Sequence, residues 1–189
     1  MDHTLIISAR RGSEALSPLL RECGLTEQHY AYHGGEARRL LGEADFEIIV
    51  INTPLSDEFG ADLSVECARK TDAGVLLLAA CAHAAEISAR VEDYGVFVVA
   101  KPFGKSLLFQ AVKLAQASRR RILGLRRENT RLQEKLEELK LSGRAKAALM
   151  QYLGMTEQQA HRYLEKQAMD LRLPKAEVAR NILSAYEDR

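Results

Sequence analysis

Five short apolar runs separated by helix-length stretches fill the first 117 residues, and this alternation limits the fold more than any other feature of the chain. The runs are TLIIS (4–8), HYAYH (29–33), EIIVI (47–51), GVLLLAA (74–80) and GVFVVA (95–100), the second being the weakest. Helical patterns lie between and after them at about 13–24, 34–43, 60–71, 84–93 and 104–117. A strand that is apolar at every position has no polar side to turn to water. Continuously apolar strands alternating with helices therefore predict a parallel sheet covered on both faces.

Five strands and five helices fit an α/β, doubly wound sheet of flavodoxin-like order. The segment has no G-x-G-x-x-G and no G-x-x-x-x-G-K-[ST], so nucleotide binding is not indicated. It resembles the receiver domain of response regulators over nearly its whole length. The matching residues are Pro54 and Gly60 after the third strand and Lys101-Pro102-Phe103 after the fifth. The resemblance implies phosphorylation chemistry with fixed requirements. An acidic pair after the first strand holds Mg²⁺, an Asp ending the third is the nucleophile, and a Thr or Ser ends the fourth. Here those positions read Ala9-Arg10, Asn52 and Ala79-Ala80, and only Lys101 remains. A carboxamide cannot form an acyl phosphate, and a cation without carboxylates lacks its oxygen cage. The expectation is a pseudo-receiver in which Lys101 holds a carbonyl or Asn52. Asp57 lies nearby, but its spacing from Gly60 is wrong for the nucleophile.

From Ser118 the chain becomes a polar helix in which Ile122, Leu125, Asn129, Leu132, Leu136 and Leu139 follow 3-4-3-4-3 spacing. This is a coiled-coil seam of three heptads, with Asn129 at an a position that favours a parallel two-stranded register. Homodimerisation is the expectation. Like charges would meet across a parallel dimer, Arg121 facing Arg126 and Lys135 facing Lys140, so packing of this helix on its own domain stays open as the alternative.

The last 45 residues repeat small apolar faces at helical spacing. The expected faces are Ala145, Leu149, Met150 and Leu153, then Ala160, Tyr163, Leu164, Gln167 and Ala168, then Val178, Ile182 and Leu183. Thr156 and Gln159 read as a capping box, and Pro174 suits the first turn of the last helix. Tyr163 is expected in the core and Tyr152 is ambiguous. The pattern resembles the ANTAR family of RNA-binding antitermination modules through Ala145-Lys146, Leu149-Met150, Ala160, Leu164, Ala168-Met169, Val178-Ala179 and Ile182. It departs from it at Ala147, where the family has Gly. The resemblance implies binding to paired stem-loops in a nascent leader transcript, which keeps a terminator from forming. Arg144, Lys146, Tyr152, Arg162, Lys166, Arg172 and Lys175 are the candidate RNA-binding residues.

The expected domains are thus a pseudo-receiver (1–117), a coiled-coil helix (118–142) and a three-helix ANTAR module (143–189). Charge follows this division. Residues 1–117 carry 11 Lys and Arg against 16 Asp and Glu, a net −5, whereas residues 118–189 carry 16 against 10, a net +6. A polyanion partner is therefore expected at one end only. The five histidines are scattered; His29 and His33 have no third ligand at metal-site spacing, and neither a metal, a cofactor nor a catalytic constellation is expected. Three widely spaced cysteines, no apolar run of 18 residues and no signal-peptide pattern point to a cytoplasmic protein, and the lack of a catalytic motif to one that is not an enzyme. The expected function is a dimeric antiterminator controlled by a regulatory protein partner, by concentration or by a ligand, rather than by Asp phosphorylation. The alternatives are an interaction scaffold whose terminal helices dock a protein, and a regulator phosphorylated at an unconventional acceptor.

Overall fold

A computed structural model of the chain describes residues 3–187. Five parallel strands, β1 (His3–Ile7), β2 (Glu27–Ala31), β3 (Ile48–Asn52), β4 (Gly74–Ala80) and β5 (Val96–Lys101), form one sheet in the order β2-β1-β3-β4-β5. The helices are α1 (Arg10–Glu22), α2 (Gly34–Glu43), α3 (Ala61–Lys70), α4 (Cys81–Val91), α5 (Lys105–Leu153), α6 (Glu157–Leu171) and α7 (Lys175–Glu187). By contacts the chain divides into two compact units, residues 1–124 and 125–189.

The apolar strands bury both of their faces. Ile49 and Ile51 of β3 pack with Leu5, Val75 and Leu77 against Leu63, Cys67 and Ile87 from α3 and α4. Their neighbours Ile48 and Val50 point the other way, packing with Ile6, Leu76 and Leu78 against Leu16 and Leu20 of α1 and Leu108 and Val112 of α5. The period-2 alternation of a strand thus supplies two cores from one apolar run. Gly60, at φ 98°, opens α3 close against Ile51 and Thr53, where a side chain would be both strained and crowded.

The edge strand β2 lies two residues earlier than its sequence signal. Tyr32 and His33 leave the strand because they cap α2: His33 Nδ1 accepts the Glu36 N–H (3.1 Å), and the Tyr32 N–H donates to Glu36 Oε2 (2.7 Å). These bonds satisfy backbone groups at a helix start, which an edge strand cannot do.

The expected boundaries at 117/118 and 142/143 both fall inside α5, a single helix of 49 residues. Arg119 of α5 pairs with Glu47 beside β3 (3.3 Å). Residues 120–140 then bury no side chain, and Ile122, Leu125, Asn129, Leu132, Leu136 and Leu139 are solvent-facing in the single chain.

In the second unit, Leu141, Ala145, Ala148 and Leu149 of α5 pack with Ala160 and Leu164 of α6 and with Val178, Ala179, Ile182 and Leu183 of α7. Two of the expected faces need correction. Met150 and Leu153 are 43% and 48% exposed, while Leu141 and Ala148 take the inner positions. Tyr163 is also outside the core, at 37% exposed. The inward stripe runs i, i+4, i+7, i+8 from residue 141, and 150 and 153 fall beyond its edge. The capping box at the start of α6 is complete, with the Gln159 N–H donating to Thr156 Oγ1 and the Thr156 N–H to Gln159 Oε1 (2.8 Å).

Candidate nucleic-acid interface and the receiver-like site

At the C-terminal end of the sheet, Asn52 ends β3 and Lys101 ends β5. Asn52 Nδ2 donates to Ser8 Oγ (2.9 Å), and its Oδ1 accepts from Lys101 Nζ (2.9 Å). The same ammonium donates to the Thr53 carbonyl. Burial pushes the Lys101 pKa down, and two oxygen acceptors oppose that by favouring its charged form. Lys101 thus takes both partners anticipated for it. Gly12 lets the first turn of α1 close over this group, since a Cβ there would meet Ser8 Oγ and Asn52 Nδ2 at 2.3 and 2.6 Å.

The residue facing Asn52 is Ser8, not the Ala9-Arg10 pair read from the sequence. Arg10 instead lies over the Tyr32 ring (5.2 Å to its centroid), where the ring face attracts the guanidinium. Asp57 is committed elsewhere, accepting the N–H groups of Gly34 (2.9 Å) and Gly35 (3.2 Å) at the start of α2. Those bonds hold its carboxyl below the usual Asp range. Mg²⁺, which the receiver fold implies, does not fit here. The side chains around Asn52 supply an amide, a hydroxyl and an ammonium, and Lys101 occupies the amide oxygen.

The second unit carries the basic candidates. Lys146 Nζ pairs with Glu157 (2.8 Å) and Lys175 Nζ with Glu165 (2.7 Å), each pair drawing its carboxylate below the usual Glu range. These two cations brace the helices. Arg162, Lys166 and Arg172 are exposed and have no ion pair among the described residues, and Arg162 and Lys166 share a face of α6. Arg144 is exposed on α5. Arg172 caps α6 in the left-handed conformation at φ 54°. Tyr152, the ambiguous aromatic, stacks on Tyr186 of α7 with ring centroids 5.5 Å apart and planes 16° from parallel. Tyr186 continues the Val178, Ile182 face at i+4, but only the fold brings it to Tyr152.

Residues 130–183 match the ANTAR domain family. Over 171 residues the chain is 35% identical to the transcriptional regulatory protein PdtaR of Mycobacterium tuberculosis, spanning 89% of this chain and 82% of that one. This chain belongs to the ANTAR response regulators. The ANTAR match begins within the exposed stretch of α5, so family signal and heptad pattern overlap from residue 130 to 139. The sheet unit of this regulator has the receiver fold. It superposes on the signal receiver domain of an HD domain-containing protein from Pseudomonas fluorescens (TM-score 0.57, 16% identity), covering 65% of this chain and 92% of that one. The HemR receiver domain from Leptospira biflexa gives a TM-score of 0.53 at 24% identity, covering 61% and 94%. Within that fold Asn52 ends β3 at the position that its spacing from Pro54 and Gly60 assigns to the acceptor Asp. Among its described helices none is long and apolar enough to cross a membrane.

Proposed function

We propose that this ANTAR regulator is an RNA-binding transcription antiterminator that works as a dimer. In this reading α5 residues 118–142 pair two copies, and the two modules from residue 143 onward grip paired stem-loops of a leader transcript, keeping a terminator from forming. The observation that carries it is the ANTAR match on a three-helix unit whose exposed Arg162, Lys166 and Arg172 have no ion pair among the described residues. Cations of this kind meet phosphates, while Tyr152 and its partner Tyr186 offer a flat apolar face for an unstacked loop base. One module with few free cations binds weakly, and linking two raises avidity by about 10²–10⁴-fold. The solvent-facing seam from Ile122 to Leu139 is the surface that would link them, with Asn129 setting register. Control would come from a protein partner or ligand on the receiver-like unit, since the Asn52 site has no acceptor carboxylate.

A gel shift of the full chain with a two-hairpin RNA and with each single hairpin tests the reading. The expected outcome is at least tenfold tighter binding of the pair, lost in Arg162→Glu/Lys166→Glu and in Leu132→Asp. Equal, salt-sensitive binding to any RNA would overturn the hairpin claim. No RNA retention at all would favour a protein-docking scaffold.

A further inference from the structure

We propose that His3, Glu27 and His29 form a binding site for a first-row transition dication of the Zn²⁺ class at the N-terminal end of the β1–β2 pair. The register of the sheet makes this trio. His3 lies directly opposite Glu27 on the neighbouring strand, and His29 is two residues further along β2, so Glu27 and His29 emerge on the same face. His3 Nδ1 stands 3.2 Å from Glu27 Oε1 and 3.4 Å from His29 Nε2, and the three ligand atoms lie within 4.8 Å of one another. Around a tetrahedral ion with bonds of about 2.0–2.1 Å, neighbouring ligand atoms are about 3.3–3.4 Å apart. Two of the three edges of this triangle therefore already have the dimensions of a zinc shell.

The donor set favours that class of ion. Two imidazoles and one carboxylate suit Zn²⁺ and its neighbours, whereas Mg²⁺ and Ca²⁺ require shells built of oxygen. The surroundings hold the ligands in place. The His29 ring meets Phe46 edge-on at 5.5 Å, and Phe46 is itself buried. The His3 carbonyl accepts the Glu47 N–H (2.8 Å), fixing the strand on its other side. The His3 and Glu27 side chains remain 43% and 39% exposed, giving the ion an entry path and leaving its fourth position to water. Bound there, the ion would clip the edge strand β2 to β1 at the end of the sheet remote from Asn52. It would give the receiver-like unit an input that needs no phosphate and no RNA.

Calorimetric titration of the metal-free full chain with ZnCl₂ tests the site, with MgCl₂ as the comparison and circular dichroism to verify folding of each variant. The expected result is one saturable Zn²⁺ site and none for Mg²⁺. His3→Ala and His29→Ala should each lower affinity more than the roughly 10–100-fold typical of losing an outer-shell contact. Glu27→Gln, which keeps the side-chain shape, should weaken binding less. Cys81, an exposed thiol, is the competing ligand, and Cys81→Ser should leave binding unchanged. Absence of a saturable Zn²⁺ site in the parent would overturn the proposal. So would affinity that survives in folded His3→Ala and His29→Ala, or that disappears in Cys81→Ser.

Discussion

Replacing Asn52 by Asp puts a carboxylate at the position read as the receiver acceptor, and the geometry around it predicts a more stable protein that still takes up no phosphoryl group. In the native chain the Asn52 Oδ1–Lys101 Nζ contact, at 2.9 Å, joins a neutral acceptor to an ammonium that burial disfavours. In Asn52→Asp the same oxygen becomes half of a carboxylate. Ser8, which accepts from Asn52 and donates to the Ala9 carbonyl (3.2 Å), must rotate its hydroxyl to donate to the new oxygen. The Lys101 bond already has one charged partner, and the carboxylate adds a second charge there. It also turns the Ser8 bond from an ordinary one, worth about 0.5–1.5 kcal/mol, into one to a charged group, worth about 1.5–3. Desolvating a half-buried carboxylate consumes part of the difference, leaving about 1 kcal/mol in favour of the variant. The gain has a definite pH window. Lys101 lowers the folded-state pKa of the new carboxyl below its unfolded value of about 3.9. The contribution is therefore complete above that pH and disappears as pH falls through the folded value. Urea unfolding of both proteins at pH 7 and near pH 3.5 measures it, with the variant's lead smaller at pH 3.5 than at pH 7. Acetyl phosphate with Mg²⁺ should add no phosphoryl mass, because Ser8 and Ala9 supply no carboxylate for the metal. A variant destabilised by more than about 1 kcal/mol at pH 7, or one that takes up phosphate, would refute the reasoning.

Arg172→Gly should stabilise the helical unit by about 1 kcal/mol, because glycine adopts the left-handed cap without the Cβ clash that arginine incurs at φ 54°. The same change should reduce the salt dependence of RNA binding by about one phosphate's share, a log–log slope change of about 0.7; chemical denaturation and gel shifts at several salt concentrations read the two effects separately. Asp57→Asn should flatten the acid limb of the stability profile. The native carboxyl is held low chiefly by the Gly34 N–H, so its contribution is present above the unfolded Asp pKa and lost as pH falls through the depressed folded value. Parallel denaturation curves at pH 7 and pH 3.5 should show the parent losing more stability than the variant.

The sheet was legible wherever one residue type dominated the energetics. EIIVI and GVLLLAA are apolar at nearly every position because both sides of β3 and β4 are buried, and no other arrangement hides them. The edge strand was less so, since β2 has one buried residue and its end is decided by hydrogen bonds that cap α2. The continuity of α5 was hidden by changes in composition along it, which alter what each turn faces without breaking the helix. At the receiver-like site Asn52 and Lys101 were readable from neighbouring glycine and proline, but Ser8 was not, because only strand register shows which residue after β1 faces Asn52. Register also brings His3 to His29, whereas sequence proximity had coupled His29 with His33. The Tyr152–Tyr186 stack depends on the packing of α7 against α5 and has no local signature.

The closed set of bonds among Ser8, Asn52 and Lys101 also has a consequence for descent. Every polar atom at the centre of the site already has a partner, so no single substitution there exposes an unmet need that selection could act on. A carboxylate at position 52 alone gains stability without chemistry. A carboxylate at position 8 alone faces an amide with no metal to share, in the space left by Gly12. Regaining phosphotransfer would take several coordinated changes, with no intermediate that works. If an acceptor once stood at position 52, its loss acts as a ratchet that leaves new inputs to arise on other surfaces of the same sheet.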